Sequence, residues 1–139
     1  MAEHFPYPIP EFDAEPFWEA CNRNELRMQR CNDCQRWRWT PSPICSCLSP
    51  HFTWELLSGR GLVHTWTVVT HPVHPAAVAR VPYIVVDVAL AEQDDLHMIS
   101  NLIDIAPEQV VMHLPVEVTF IQHPHGCKLP QFRPVQQEE

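Results

Sequence analysis

Glycine is nearly missing from this chain: three residues in 139, against fifteen prolines. A backbone with few permissive residues and many fixed ones favours stiff turns and extended segments over long helices. The glycine-dependent phosphate motifs are missing too. There is no P-loop, no GxGxxG fingerprint and no serine nucleophile elbow. No stretch approaches the roughly 20 apolar residues of a membrane span, and the opening Met1 to Phe5 has neither the basic nor the apolar region of a secretory leader. The expectation is a cytoplasmic chain with its cysteines reduced. Positive charge is also scarce. Nine Lys and Arg face seventeen Asp and Glu, a net charge of -8 with histidine neutral, and that sign repels phosphate backbones.

What is present is apolar substance in short pieces. The hydrophobic fraction is 45%, enough for one core in a chain of this length. Pro16 suits a first helical turn, with Asp13 or Glu15 near its N-terminus, Phe17, Trp18 and Cys21 as its apolar side, and Asn22 to Asn24 as its stop. Leu26 to Arg30, Arg36 to Trp39 and Phe52 to Leu56 alternate apolar and polar residues as strands do. Five further β segments follow: Leu62 to Thr70, Tyr83 to Leu90, Leu96 to Leu102, Val116 to Ile121 and Leu129 to Arg133. A helix of one or two turns is expected near Asp104 or Pro107-Glu108, between the third and fourth of these. Five strands with that interruption follow the order of an OB-fold barrel. The fold class is mainly β, divided as residues 1–25 (extended and helical), 26–58 (zinc ribbon) and 59–139 (five-stranded barrel), ending in a polar tail from Gln136 to Glu139.

The chemistry lies in the cysteines. Cys31-x-x-Cys34 has the spacing that points two thiolates at one ion while backbone amides turn toward the sulfurs. The second pair, Cys45-x-Cys47, is one residue short, and His51 stands nearby as an alternative ligand. Four protein ligands leave no open position for water, so a zinc here is structural and not catalytic. Cys21 and Cys127 lie outside the cluster and read as core packing. His71-Pro72-Val73-His74 has no carboxylate in fixed relation and reads as a solvated loop. In Ser58-Gly59-Arg60-Gly61, exposed amides and Arg60 offer a contact for a phosphate or pantetheine group, with a simple tight turn as the plainer reading. Arg23, Arg27, Arg30, Arg36 and Arg38 crowd the first cysteine pair, either as an anion site or as a solvated face balanced by nearby acids.

Taken in order, Pro8 to Asp13, Pro16-Phe17-Trp18, Leu26 to Cys34, Trp37 to Pro43, Ser58 to Gly61, Pro82-Tyr83 and Leu129-Pro130-x-Phe132-x-Pro134 make the chain resemble a bacterial and archaeal acyl-CoA-associated family. That family joins a rubredoxin-like zinc ribbon to an OB-fold and was first catalogued as a domain of unknown function. The resemblance covers nearly the whole chain. It implies zinc on Cys31, Cys34, Cys45 and Cys47, although the family usually has two residues between the last two cysteines. It also implies a non-catalytic subunit of a hetero-oligomer. The partner is a thiolase or sterol-carrier-type thiolase homologue, which supplies the catalytic residues and acts on an acyl-CoA by carbon–carbon bond formation, cleavage or acyl transfer. On that reading Arg60, Arg36 and Arg38 help to hold CoA, and Phe17 and Trp18 meet the partner. The competing function is a single-stranded nucleic-acid binder, since ribbons and OB-folds both serve that role. Against it, residues 62–139 carry only Arg80, Lys128 and Arg133 as basic residues. An independent enzyme built on His71 or His74 ranks last.

Overall fold

The structure, a computed structural model, describes residues 6–136. Phe5 and residues 137–139 of the expected polar tail lie outside the described residues. Helix α1 (Glu15–Asn22) begins one residue before the expected proline, and Pro16 lies in its first turn. Its N-cap is Ala14, with no side-chain cap; Glu15 sits in the first turn and Asp13 does not bond to it. Asn24 takes a positive φ of 63° and turns the chain away.

The ribbon follows as β1 (Arg27–Cys31), β2 (Trp37–Arg38) and β3 (Phe52–Leu56), an antiparallel sheet in the order β2-β1-β3. Its register sets Arg30 opposite Trp37 and Cys31 opposite Phe52. Buried Gln29 accepts hydrogen bonds from Arg38 Nε and the Ser42 amide, 2.8 Å each, so the polar group in the ribbon interior is satisfied.

Strands β4 (Arg60–Val69), β5 (Tyr83–Leu90), β6 (His97–Leu102), β7 (Pro115–Gln122) and β8 (Lys128–Pro134) close a barrel in the order β4-β5-β6-β8-β7. The β6–β8 seam is parallel, with Leu102 opposite Phe132 and the Ile103 amide donating to the Phe132 carbonyl at 2.8 Å. Closure removes the sheet edges that the period-two pattern alone leaves open. Ile84, Val86, Val88 and Leu90 all point inward, as the alternation along β5 predicts. The helix expected between the third and fourth barrel strands is a single 3-10 turn, Pro107–Gln109. A second such turn, Pro75–Ala77, forms where the sequence suggested only loop. Among the described residues no helix is long and apolar enough to cross a membrane.

Ribbon, helix and barrel share one core. Phe17 and Cys21 of α1, Met28 and Trp37 of the ribbon, and Val63, Val86 and Phe132 of the barrel belong to one contiguous cluster. Gln93, in the β5–β6 loop, accepts from the Trp37 amide and donates to the Trp37 carbonyl, both at 3.0 Å. It thereby pairs with β2 as a strand residue would.

Candidate metal centre

The β1–β2 turn carries Cys31 and Cys34, and the loop before β3 carries Cys45 and Cys47. The four Sγ atoms lie within 4.8 Å of one another. Cys31 Sγ is 3.6 Å from Cys47 Sγ, and Cys34 Sγ is 3.5 Å from Cys45 Sγ. A tetrahedron with Zn–S bonds of about 2.3 Å has edges of about 3.8 Å, so the spacing suits that ion. The Cys34 amide points at Cys31 Sγ, 3.5 Å away. The shortened second knuckle therefore still delivers both of its sulfurs. His51 does not join the group; it is exposed, and its carbonyl accepts from the Asn32 amide.

Electrostatics divides the thiols into two pairs. The Cys47 amide, with help from neighbouring thiols and against desolvation, brings Cys45 down to about 6. The Cys34 amide, chiefly, lowers Cys31 as well. At Cys47 the Ser49 amide favours ionisation, but desolvation and the surrounding sulfurs outweigh it and push the thiol up to about 12. Cys34 is raised in the same way, by Cys45 and desolvation against the Arg36 amide. Like charges this close resist full ionisation, and a dication is what relieves them. The residues present fit a zinc ion with Cys31, Cys34, Cys45 and Cys47 as its holders. Four sulfurs close its coordination, so the ion's contribution is to cross-link β1, β2 and the approach to β3.

The remaining candidates fall in other places. Arg36 is ion-paired with Asp95 and joins the ribbon to the β5–β6 loop. Arg38 bonds Gln29 and the Ser42 carbonyl and lies over Phe52, 4.8 Å from its centroid, so its guanidinium braces the ribbon. Arg23 and Arg27 meet Glu25, and Arg30 meets Glu55. Arg23, Arg27, Arg30 and Arg36 are thus ion-paired, as a face balanced by nearby acids requires. Arg60 lies apart from Arg36 and Arg38, at a cleft of about 420 Å³ with Leu62, Leu90, Asp94, Val116 and Val135. Two of the amides expected to be exposed beside it are taken, the Ser58 amide by Glu92 Oε1 at 2.8 Å and the Arg60 amide by Ser58 Oγ at 3.2 Å, and Gly61 lies in the barrel opposite Leu90 and Val116. Phe17, expected to meet a partner, is 1% exposed and packs on Trp18 and Trp39, because an aromatic at that helical position completes the shared core. Trp18 is half-buried, while Phe12 is 93% and Ile9 80% exposed.

Cys21 is a core thiol, pushed up to about 12 by burial. His74 caps the Pro75–Ala77 turn through its ring, accepting from the Ala76 amide at 3.0 Å. A group the sequence did not single out is His64, Asp87 and His97, from three adjacent strands, whose ligand atoms lie within 4.8 Å of one another. Its signal was dispersed: each residue is an unremarked outward position on its own strand.

Two family models divide the chain: "ChsH2, rubredoxin-like zinc ribbon domain" over residues 18–53 and "ChsH2, C-terminal OB-fold domain" over residues 54–120. A solved structure described as the "Ltp2-ChsH2(DUF35) aldolase" superposes with a TM-score of 0.83 at 32% identity, covering 92% of this chain and 98% of that one. This chain belongs to the ChsH2 family. A DUF35 protein of Sulfolobus solfataricus shares the fold at 10% identity, with a TM-score of 0.59 over 89% of this chain and 86% of that one. Among curated proteins, a probable enoyl-CoA hydratase alpha subunit of Thermomonospora curvata is 37% identical over 130 residues, 88% of this chain and 38% of that protein. A 3-oxo-4,17-pregnadiene-20-carboxyl-CoA hydratase alpha subunit of Mycobacterium tuberculosis is 30% identical over 118 residues, 84% of this chain and 36% of that protein. This ChsH2-family chain spans less than two fifths of either hydratase subunit.

Proposed function

We propose that the chain is an accessory subunit, without catalytic residues of its own, that docks a thiolase-like partner acting on an acyl-CoA in the cytoplasm. The observation that carries this reading is the end-to-end match to the chain of the Ltp2-ChsH2 aldolase. That likeness includes both modules and most of the N-terminal segment, so it supports an assembly role for the whole surface. The metal site agrees with the reading, because a closed thiolate set supplies rigidity and leaves no position for a substrate. The zinc ribbon (26–58) and the barrel (59–139) are taken as the two working units. Arg60, on its apolar cleft, is the remaining candidate for a CoA contact, with the condensing, cleaving or acyl-transferring step assigned to the partner.

The half-buried Trp18 keeps the partner-binding role expected of it, and the exposed Phe12 replaces the buried Phe17 beside it. Co-expression with a thiolase-like partner subunit is expected to give a complex that survives size exclusion, with turnover that neither chain shows alone. Phe12→Ala with Trp18→Ala is expected to weaken the complex at unchanged zinc content. A partner that is fully active alone and never co-elutes with this chain rules the accessory role out.

A further inference from the structure

The outer face of the barrel carries a second group of metal-binding side chains, and its geometry follows from one irregularity. The β4–β5 ladder pairs Val63 with Val88 and then Thr65 with Asp87. His64 is the extra residue of that bulge, so His64 and Thr65 both face out while Val63 stays buried. Bulges re-aim a side chain, and they recur beside functional sites. On β5, Asp87 is an outward position between buried Val86 and Val88; on β6, His97 is outward beside buried Met98. The bulge brings His64 over these two. Its ring meets that of His97 edge to face at a centroid distance of 4.8 Å.

Asp87 Oδ1 lies 2.8 Å from His97 Nδ1. A carboxylate accepts, so Nδ1 carries the proton and the Nε2 lone pair of His97 is left for a ligand. An acid that fixes the tautomer of a ligating imidazole is a recurring support of metal sites. The flanking register positions, Leu62, Ala89, Thr65 and Ile99, carry no cation, and the chain as a whole is acidic. All three side chains are at least partly open to water. We infer that His64 and His97, with Asp87 fixing the His97 tautomer, form a solvent-facing site for a borderline divalent metal ion such as Zn²⁺ or Ni²⁺, separate from the four-cysteine cluster. Imidazoles suit such ions, and two protein ligands leave positions on the ion for water or an exchangeable ligand.

The test is calorimetric titration of the untagged, zinc-loaded full chain with Ni²⁺, with zinc content measured before and after. One saturable equivalent per chain is expected, with zinc retained. Asp87→Asn is expected to weaken it by about 10–100-fold, and His64→Gln with His97→Gln to abolish it. Circular dichroism checks the fold of each variant, and His64→Gln alone, on an exposed bulge, keeps the test available should the double variant not fold. Absence of a saturable equivalent, binding that survives the His64 and His97 changes, or uptake matched by zinc loss each overturns the inference.

Discussion

At the residue scale, Gly61 is closely confined by backbone. It lies between β5 and β7, opposite Leu90 and Val116, and a Cβ there would stand 2.5 Å from the Ala89 carbonyl oxygen and 2.6 Å from Val88 Cγ1. Backbone cannot retreat as a side-chain tip can. Gly61→Ala is expected to cost about 1–3 kcal/mol, read as a lower urea midpoint at unchanged slope. The Ser58-Gly59-Arg60-Gly61 string advertised a special backbone, but the partners that demand it are Val118 and Ala89, far off in sequence, and no local pattern names them. The fourth zinc ligand is a second residue-scale question. With Cys47 Sγ 3.6 Å from Cys31 Sγ and His51 outside the group, Cys47→Ser is expected to lower zinc per chain from about one. His51→Ala is expected to leave it unchanged. Atomic absorption on protein purified without chelator separates the two.

At the element scale, the strands were the most legible part. The β segments read from the sequence located all five barrel strands, and the Tyr83 to Leu90 strand was placed residue for residue. The helix was legible from Pro16 and its aromatic face, although which aromatic faced inward was not. Phe17 and Trp18 are neighbours in sequence with equal hydrophobic claims; only the surfaces of β1 and β8 decide that Phe17 goes in. The bulge at His64 left no local mark, since a bulge is a mismatch between two strands and not a property of one. The parallel β6–β8 seam is equally non-local. Phe132 is fully buried there and its backbone closes the barrel. Phe132→Ala is expected to remove about 3–5 kcal/mol, measured by equilibrium denaturation of the zinc-loaded chain.

At the scale of the whole molecule, charge bears on the choice between the proposed accessory role and nucleic-acid binding. A ribbon and an OB-fold are each compatible with nucleic acid, but affinity for a phosphate backbone depends on cations that release counterions. Here the net charge is -8, and Arg23, Arg27, Arg30 and Arg36 are all ion-paired, the first two sharing Glu25. Arbitrary single-stranded DNA and RNA are expected to bind no tighter than micromolar at physiological salt. Fluorescence anisotropy with a labelled oligonucleotide checks this, and submicromolar affinity would restore nucleic-acid binding as the leading function.

The Gln93 clasp on Trp37 carries a mechanical consequence. One amide side chain grips both the N–H and the carbonyl of a ribbon residue, a few residues from the Arg36–Asp95 pair and above a core that runs through both modules. The modules are therefore clasped together rather than strung as beads. A subunit that touches one module finds the other already at its angle, so the second contact forms without a further orientational search.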